Sequence, residues 1–340
     1  MSSMSEGRFR FLLVMLCLGL VLLASISIGL GRYYISPLQV GKILISSFYP
    51  VAQDWTNQAA SVIYTLRLPR ALAAMLIGAA LSLSGAAYQS VFKNPLVAPD
   101  MLGVSSGACV GASLCILFGA SQAGIQSGAF VGGLLAVFLA ISIPRIIGKN
   151  SIVMLVLSGI IVGGLMGSLL GIIKYLADSD TQLPAITYWQ LGSLVSVTWQ
   201  NLVASGIPIL LCLFFMMLIR WRMNILTLSE EENHMLGTHN TFLRYAVILC
   251  ATILTACSVC ISGTIGWIGL VIPHFSRMMA GPDNRRLLPM AVILGAMFLL
   301  FIDTLSRLAF SAEIPLSILT GLVGAPFYFY LLVRQRLKLS

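Results

Sequence analysis

Charge is what this 340-residue chain has least of: Asp, Glu, Lys and Arg together make up 9% of it, against about a quarter in soluble domains. With 58% hydrophobic residues and a strongly positive mean hydropathy, an ordinary soluble domain is excluded. Histidine is scarcer still. His234, His239 and His274 fall in no HExxH pattern, and no paired carboxylates sit deep in an apolar run, so an intramembrane hydrolase finds no catalytic set. A GxxxxGK[ST] loop is also missing, so any ATP-driven work needs a second polypeptide. The seven cysteines, Cys17, Cys109, Cys115, Cys212, Cys250, Cys257 and Cys260, lie within or beside apolar segments and read as small buried hydrophobes. Cys257 and Cys260 have a metal-site spacing but no further ligands nearby, so no metal is expected.

What the chain has instead is apolar runs of membrane-spanning length. They fall at about 11–31, 71–92, 101–119, 126–148, 152–176, 200–219, 241–262, 266–281, 287–308 and 315–333, which predicts ten crossings. The N-terminal run is too long for a secretory signal and reads as an uncleaved helix. Lys and Arg exceed Asp and Glu, 20 to 11, but the excess sits in short loops, as topology requires, so no nucleic-acid partner is implied. With the N-terminus inside, fourteen of the twenty basic residues fall on the cytoplasmic side, which predicts both termini there. The outer arginines Arg67, Arg70 and Arg307 then stand against the bias; a planar fork suits carboxylates, and Asp303 lies four residues before Arg307. Between the first two crossings, Leu38, Leu44, Ile45 and Phe48 are expected to line one face of a short interfacial helix. Glycines recur every four residues at Gly103, Gly107 and Gly111, and at Gly159, Gly163, Gly167 and Gly171, a spacing that brings helix backbones close. Tyr188, Trp189 and Trp199 read as interfacial anchors, and Asp178 and Asp180 as solvated.

The most informative stretch is Arg67–Ala108. An apolar run from Ala71 to Phe92 breaks at Lys93-Asn94-Pro95-Leu96 and again at Pro99 before a glycine-punctuated run begins. Proline disfavours helix in the residue before it, so Asn94 and Ala98 are predicted non-helical. Irregular backbone at membrane depth is tolerated only where protein or a water-filled cavity surrounds it, which makes this turn a candidate pathway element. Pro273-His274 is read as a helix break with a structural histidine.

The succession RLPR, SGxxxQ at Ser84–Gln89, NPL-x-x-P at Asn94–Pro99, LGxxxGA at Leu102–Ala108, GTIGWIGLVIPHFSR at Gly263–Arg277, and IDTLSR with EIPLSILTGLVGAPFYFYLL resembles the permease subunits of ATP-driven importers for iron-siderophore complexes, haem and cobalamin. The resemblance covers nearly the whole chain and implies an all-α polytopic fold of the type II ABC importer kind, one transmembrane domain over 1–340 with a cytoplasmic coupling segment at about 223–240. It also implies the partners: a second permease copy or paralogue, two ABC ATPase subunits that carry ATP and Mg, a periplasmic or lipid-anchored binding protein, and the lipid of a bacterial inner membrane. This chain itself needs no cofactor.

Residue by residue, the resemblance assigns Leu228, Ser229, Glu230, Glu231, Glu232, Met235, Leu236 and Gly237 to the helix that contacts the ATPase. Independently, Ser229 reads as a helix cap, the three glutamates as a first turn and Gly237 as a stop. The family usually has glycine at position 229 and alanine at 233, where this chain has Ser229 and Asn233. The resemblance further assigns Arg67, Arg70 and Arg307 to binding-protein docking, Asn94, Pro95 and Leu96 to an inner gate, Asn150, Ser151 and Ile152 to a second gate, and the Gly159, Gly163, Gly167 and Gly171 stripe to a helix bordering the pathway between two permeases. A ferric siderophore is the first substrate expected, with haem, cobalamin or an oxyanion as alternatives. A proton-coupled carrier using Asp303 and an intramembrane enzyme are the readings from other classes.

Overall fold

A computed structural model describes residues 5–31, 33–148, 151–228, 241–309 and 312–336. Among these residues the protein is helical throughout, with no strand. Its helices are α1 (Glu6–Gly29), α2 (Pro37–Ser46), α3 (Asn57–Ser61), which runs through a π-helical turn (Val62–Arg67) into α4 (Leu68–Phe92), α5 (Val104–Leu117), α6 (Gln122–Ile147), α7 (Ile152–Leu176) and α8 (Gln182–Leu191). They continue with α9 (Trp199–Ile219), α10 (Met223–Leu226), α11 (Thr241–Ser262), α12 (Ile268–Ala280), α13 (Asn284–Leu308) and α14 (Leu316–Arg336). Seven spans, those containing α1, α4, α6, α7, α9, α11 and α13, are long and apolar enough to cross a membrane.

α4 is the axis of the bundle. Its most apolar stretch is 83% buried, against 11% for α1, so α4 faces protein on every side while α1 faces mostly outward. Its composition, with Ala, Gly or Ser at twelve of its 25 positions, explains this: without a hydrophobic driving force between helices in lipid, close approach and hydrogen bonds do the work. A Cβ on Gly85 would run into the carbonyl of Gly269 on α12, and one on Gly78 into that of Gly295 on α13. The buried hydroxyls are satisfied across helices, Ser84 with Thr255 at 2.8 Å, Tyr88 with Thr252 at 2.9 Å, and Ser82 donating to the Ala291 carbonyl at 2.6 Å.

Several expectations change in detail. α5 and α12 have only 14 and 13 residues, about 20 Å each, well short of the runs at 101–119 and 266–281, because both begin from irregular backbone inside the protein. Pro273 does not break its helix: α12 is continuous through it, and the break lies upstream, at Gly263 (φ 68) and Trp267 (φ 70). α2 forms as expected but packs through Val40 and Ile43, leaving Leu38, Ile45 and Phe48 exposed, since a 10-residue helix capped by Ser36 turns its other face to the bundle. Tyr188 and Trp189 lie on the short helix α8, and Trp199 Nε1 donates to the Tyr64 carbonyl at 2.7 Å. The glycine stripes divide. Gly107 and Gly111 pack on Gly132 and Gly128 of α6, and Gly159 on the backbone of Met101, whereas Gly163, Gly167 and Gly171 face open space.

Candidate permeation site and its two ends

The NPL turn is built at the C-terminal end of α4. Lys93 closes the helix in the left-handed conformation (φ 52), and Asn94 Oδ1 accepts from Leu96 N at 2.9 Å, the side chain imitating a turn. Asn94, Pro95 and Leu96 are exposed, while Val97 and Pro99 are buried. As predicted, Asn94 and Ala98 are non-helical. A side-chain relay holds the turn to α12: Gln89 Nε2 donates to the carbonyls of Val97 (3.3 Å) and Gly269 (3.4 Å), and Arg277 Nη2 donates to Gln89 Oε1 (2.9 Å). Arg277 has no carboxylate partner among the described residues, and its Nη1 is buried without an acceptor. At the second gate position, Ser151 caps α7 by accepting from Met154 N at 3.2 Å and Ile152 is its first helical residue; Asn150 lies outside the described residues.

Above this turn lies a cavity of about 510 Å³. Leu81, at the middle of α4, lines it, as do Gly167 of α7, the start of α5 and the Thr264–Trp267 segment that precedes α12. Irregular backbone thus enters the protein at mid-depth from two sides and borders open space, as irregular backbone at membrane depth must. Sequence reasoning assigned no role to Asp100, which lines this cavity. The signal was its place directly after Pro99 in an irregular stretch between two apolar runs.

At the opposite end, the one that the charge bias places outward, the three arginines form a closed set. Arg70 Nε donates to Asp303 Oδ1 at 2.9 Å, while Nη1 and Nη2 reach Glu313 Oε1 and Oε2 at 2.9 and 2.7 Å. Arg307 pairs with Asp303 at 3.3 Å, the four-residue pair expected on α13, and donates to the carbonyls of Ser27 (3.0 Å) and Leu30 (3.1 Å). Arg67 donates to the carbonyls of Ile28, Gly29 and Tyr33 at 2.8, 3.0 and 2.6 Å, capping the end of α1. All three guanidiniums are therefore engaged within the chain, and Asp303, fully buried, is shared by two of them. Glu313 was not singled out in the sequence as a partner of Arg70; 243 residues separate them.

Of the coupling segment at about 223–240 the first six residues, 223–228, are described; Ser229, Glu230, Glu231, Glu232, Met235, Leu236 and Gly237 lie outside the described residues. The chain leading into it is anchored. Met223 and Leu226 of α10 are buried, Asn224 Nδ2 donates to Asp283 Oδ1 at 2.7 Å, and Asn284 N donates to Asn224 Oδ1 at 2.8 Å. Asp283 caps α13. Partial burial alone would raise its pKa, but donors from Arg285 N and the Asn224 amide, with the Arg285 charge, outweigh that and hold the carboxyl below its usual range.

Broken helices around a mid-depth cavity in a multi-pass helical bundle define a membrane permease. The profile of the FecCD transport family matches residues 18–334, and the chain belongs to that family. It is 40% identical to the molybdate import system permease protein MolB of Haemophilus influenzae, over 96% of each chain, and 37% identical to the hemin transport system permease protein HmuU of Yersinia pestis, over 94% of this chain and 96% of that one. Among solved structures, an inward-facing metal-chelate type ABC transporter superposes with a TM-score of 0.86 at 38% identity, covering 96% of this chain and 99% of the other.

Proposed function

We propose that this chain is the permease subunit of an ATP-driven importer in a bacterial inner membrane, pairing with a second permease and forming the path for a ferric chelate delivered by a binding protein. The observation that carries the reading is the meeting of the Ala98–Asp100 stretch that follows the NPL turn, the start of α5 and the break before α12 around one mid-depth cavity. ATP hydrolysis belongs to separate subunits, which engage the segment from Leu228 to Gly237. The anchoring of α10 to Asp283 and Asn284 supports this, because a push on the segment is passed directly to the α12–α13 corner and, through Arg277 and Gln89, to the turn. The outer arginine face receives the binding protein, whose acidic groups compete with Glu313 for Arg70. Ser151 and Ile152, at the start of α7, form the second gate.

A cysteine placed at Glu232 tests the reading in native membranes. Cross-linking there is expected to capture an ATP-hydrolysing subunit, and deleting that subunit is expected to abolish uptake of radiolabelled ferric chelate. An accessible cysteine that captures no nucleotide-binding protein removes the importer reading. Molybdate is the second reading, favoured by the MolB relative; uptake of labelled molybdate in place of iron would establish it.

A further inference from the structure

The importer reading leaves the chemical class of the cargo open, and the cavity carries information on it. Among the described residues that line it, Asp100 is the only one that bears a formal charge at neutral pH. The other polar groups are hydroxyls and an amide, including Ser105, Thr255 and Gln190, with no lysine or arginine. Asp100 is exposed to this space and takes part in no salt bridge among the described residues. The contrast with Asp303 is sharp: that carboxylate is fully buried between two guanidiniums, while Asp100 lines the mid-depth cavity with no ion-pair partner among the described residues. An ionisable group at that depth is costly and marks an ion or substrate path.

A second feature points into the same space. Trp267 is one of two non-glycine residues with positive φ among those described; it lines the cavity and is 38% exposed. For a bulky residue that backbone conformation is strained, and such strain persists where the surroundings over-determine it. Gly324 leaves the space that the ring occupies, since a Cβ there would press on Trp267 Cβ. A carboxylate and a tryptophan lining one cavity favour a cation and disfavour an anion.

We infer that this cavity is a charge-selective half-site, in which Asp100 admits ferric chelates of zero or positive net charge and turns away anionic chelates and oxyanions. The inference rests on the importer reading and deepens it. It separates this chain from the molybdate reading on electrostatic grounds: one unit charge about 6 Å from an uncompensated carboxylate, at an effective dielectric of about 20, changes affinity by at least about tenfold.

The test uses the assembled complex in nanodiscs and one ferric trihydroxamate scaffold in three forms: with its free amine protonated (net charge +1), N-acetylated (neutral) and N-succinylated (net charge −1). Molybdate is a fourth probe. Tryptophan quenching by the iron chelates reports occupancy, and Trp267→Phe should remove most of the saturable signal. The half-saturation concentration is expected to rise about tenfold or more from the cationic to the anionic form. Asp100→Asn should collapse that spread to within about threefold by weakening the cationic form most, and Asp100→Glu should restore it. Molybdate should not compete with the cationic form in the unaltered chain. A merely structural role for Asp100 would shift all three forms equally, and that result overturns the proposal. So do equal half-saturation in the unaltered chain, competition by molybdate, or the absence of saturable quenching. The cysteine at Glu232 is scored on the same preparation: capture of the ATPase with a flat charge series sinks this inference alone, while failure of capture sinks the importer reading.

Discussion

The two ends of the bundle treat their arginines in opposite ways. At the outer end three guanidiniums, two carboxylates and a set of helix-end carbonyls close on one another; Arg70 and Arg307 both have carboxylate partners, although Arg307 Nε, 3.3 Å from Asp303, makes no hydrogen bond, and α1, α4 and α13 are held as a unit. At the other end Arg277 leans on one neutral amide, Gln89, and keeps a buried N–H without an acceptor. A buried ion set with all partners in place is rigid, and removing one member is costly. A half-satisfied one leaves its elements free to rearrange. The difference suggests a fixed outer end and a movable inner turn, as the proposed gate requires.

The largest expected effect comes from breaking the closed end. Asp303→Ala leaves Arg70 and Arg307 short of their shared carboxylate and should cost about 3–5 kcal/mol of stability, read as a large fall in melting temperature and in yield of folded protein. A melting temperature within a few degrees of the unaltered chain would show that the set is not what holds this end. An intermediate effect is expected at the open end. Gln89→Ala removes the acceptor of Arg277 and the hold on Val97, at about 1–2 kcal/mol, yet should raise the ATP hydrolysed per substrate transported several-fold because the turn no longer follows α12. Gln89→Glu, which keeps an acceptor for the guanidinium, should recover part of the coupling. An unchanged ratio in Gln89→Ala would remove the relay from the mechanism.

The smallest effect concerns Asp283, whose carboxyl is held below its usual range in the folded protein. A depressed folded pKa means stability that is present above the unfolded value, about 4, and lost as pH falls through the folded one. Melting followed down through that window should therefore fall less steeply for Asp283→Asn than for the unaltered chain, with only a minor difference at neutral pH. A steeper fall in the variant would contradict the assignment of the cap.

The order of the helices was legible because length and apolarity are local properties: a run of apolar residues has to become a helix in lipid wherever it sits. The turn at Asn94–Leu96 was legible for the same reason, since Pro95 and Pro99 act on their immediate neighbours. Pro273 misled, because a proline within a helix disrupts only one backbone bond, and α12 runs on through it. The packed face of α2 misled too, since exposed Leu38 and Phe48 are as apolar as buried Val40 and Ile43 and only the neighbouring helices distinguish them.

By itself, then, the sequence determined a polytopic helical permease of a known family and the break that follows α4. Tertiary structure alone decided which charges answer one another. Arg70 finds Glu313 across 243 residues and Asp303 takes two arginines, whereas Asp100, a residue of the same chemistry, is left facing a cavity. The physical reason is that periodicity and turn chemistry act over a few residues. The compensation of a charge depends on what the folded chain brings within a few ångströms of it.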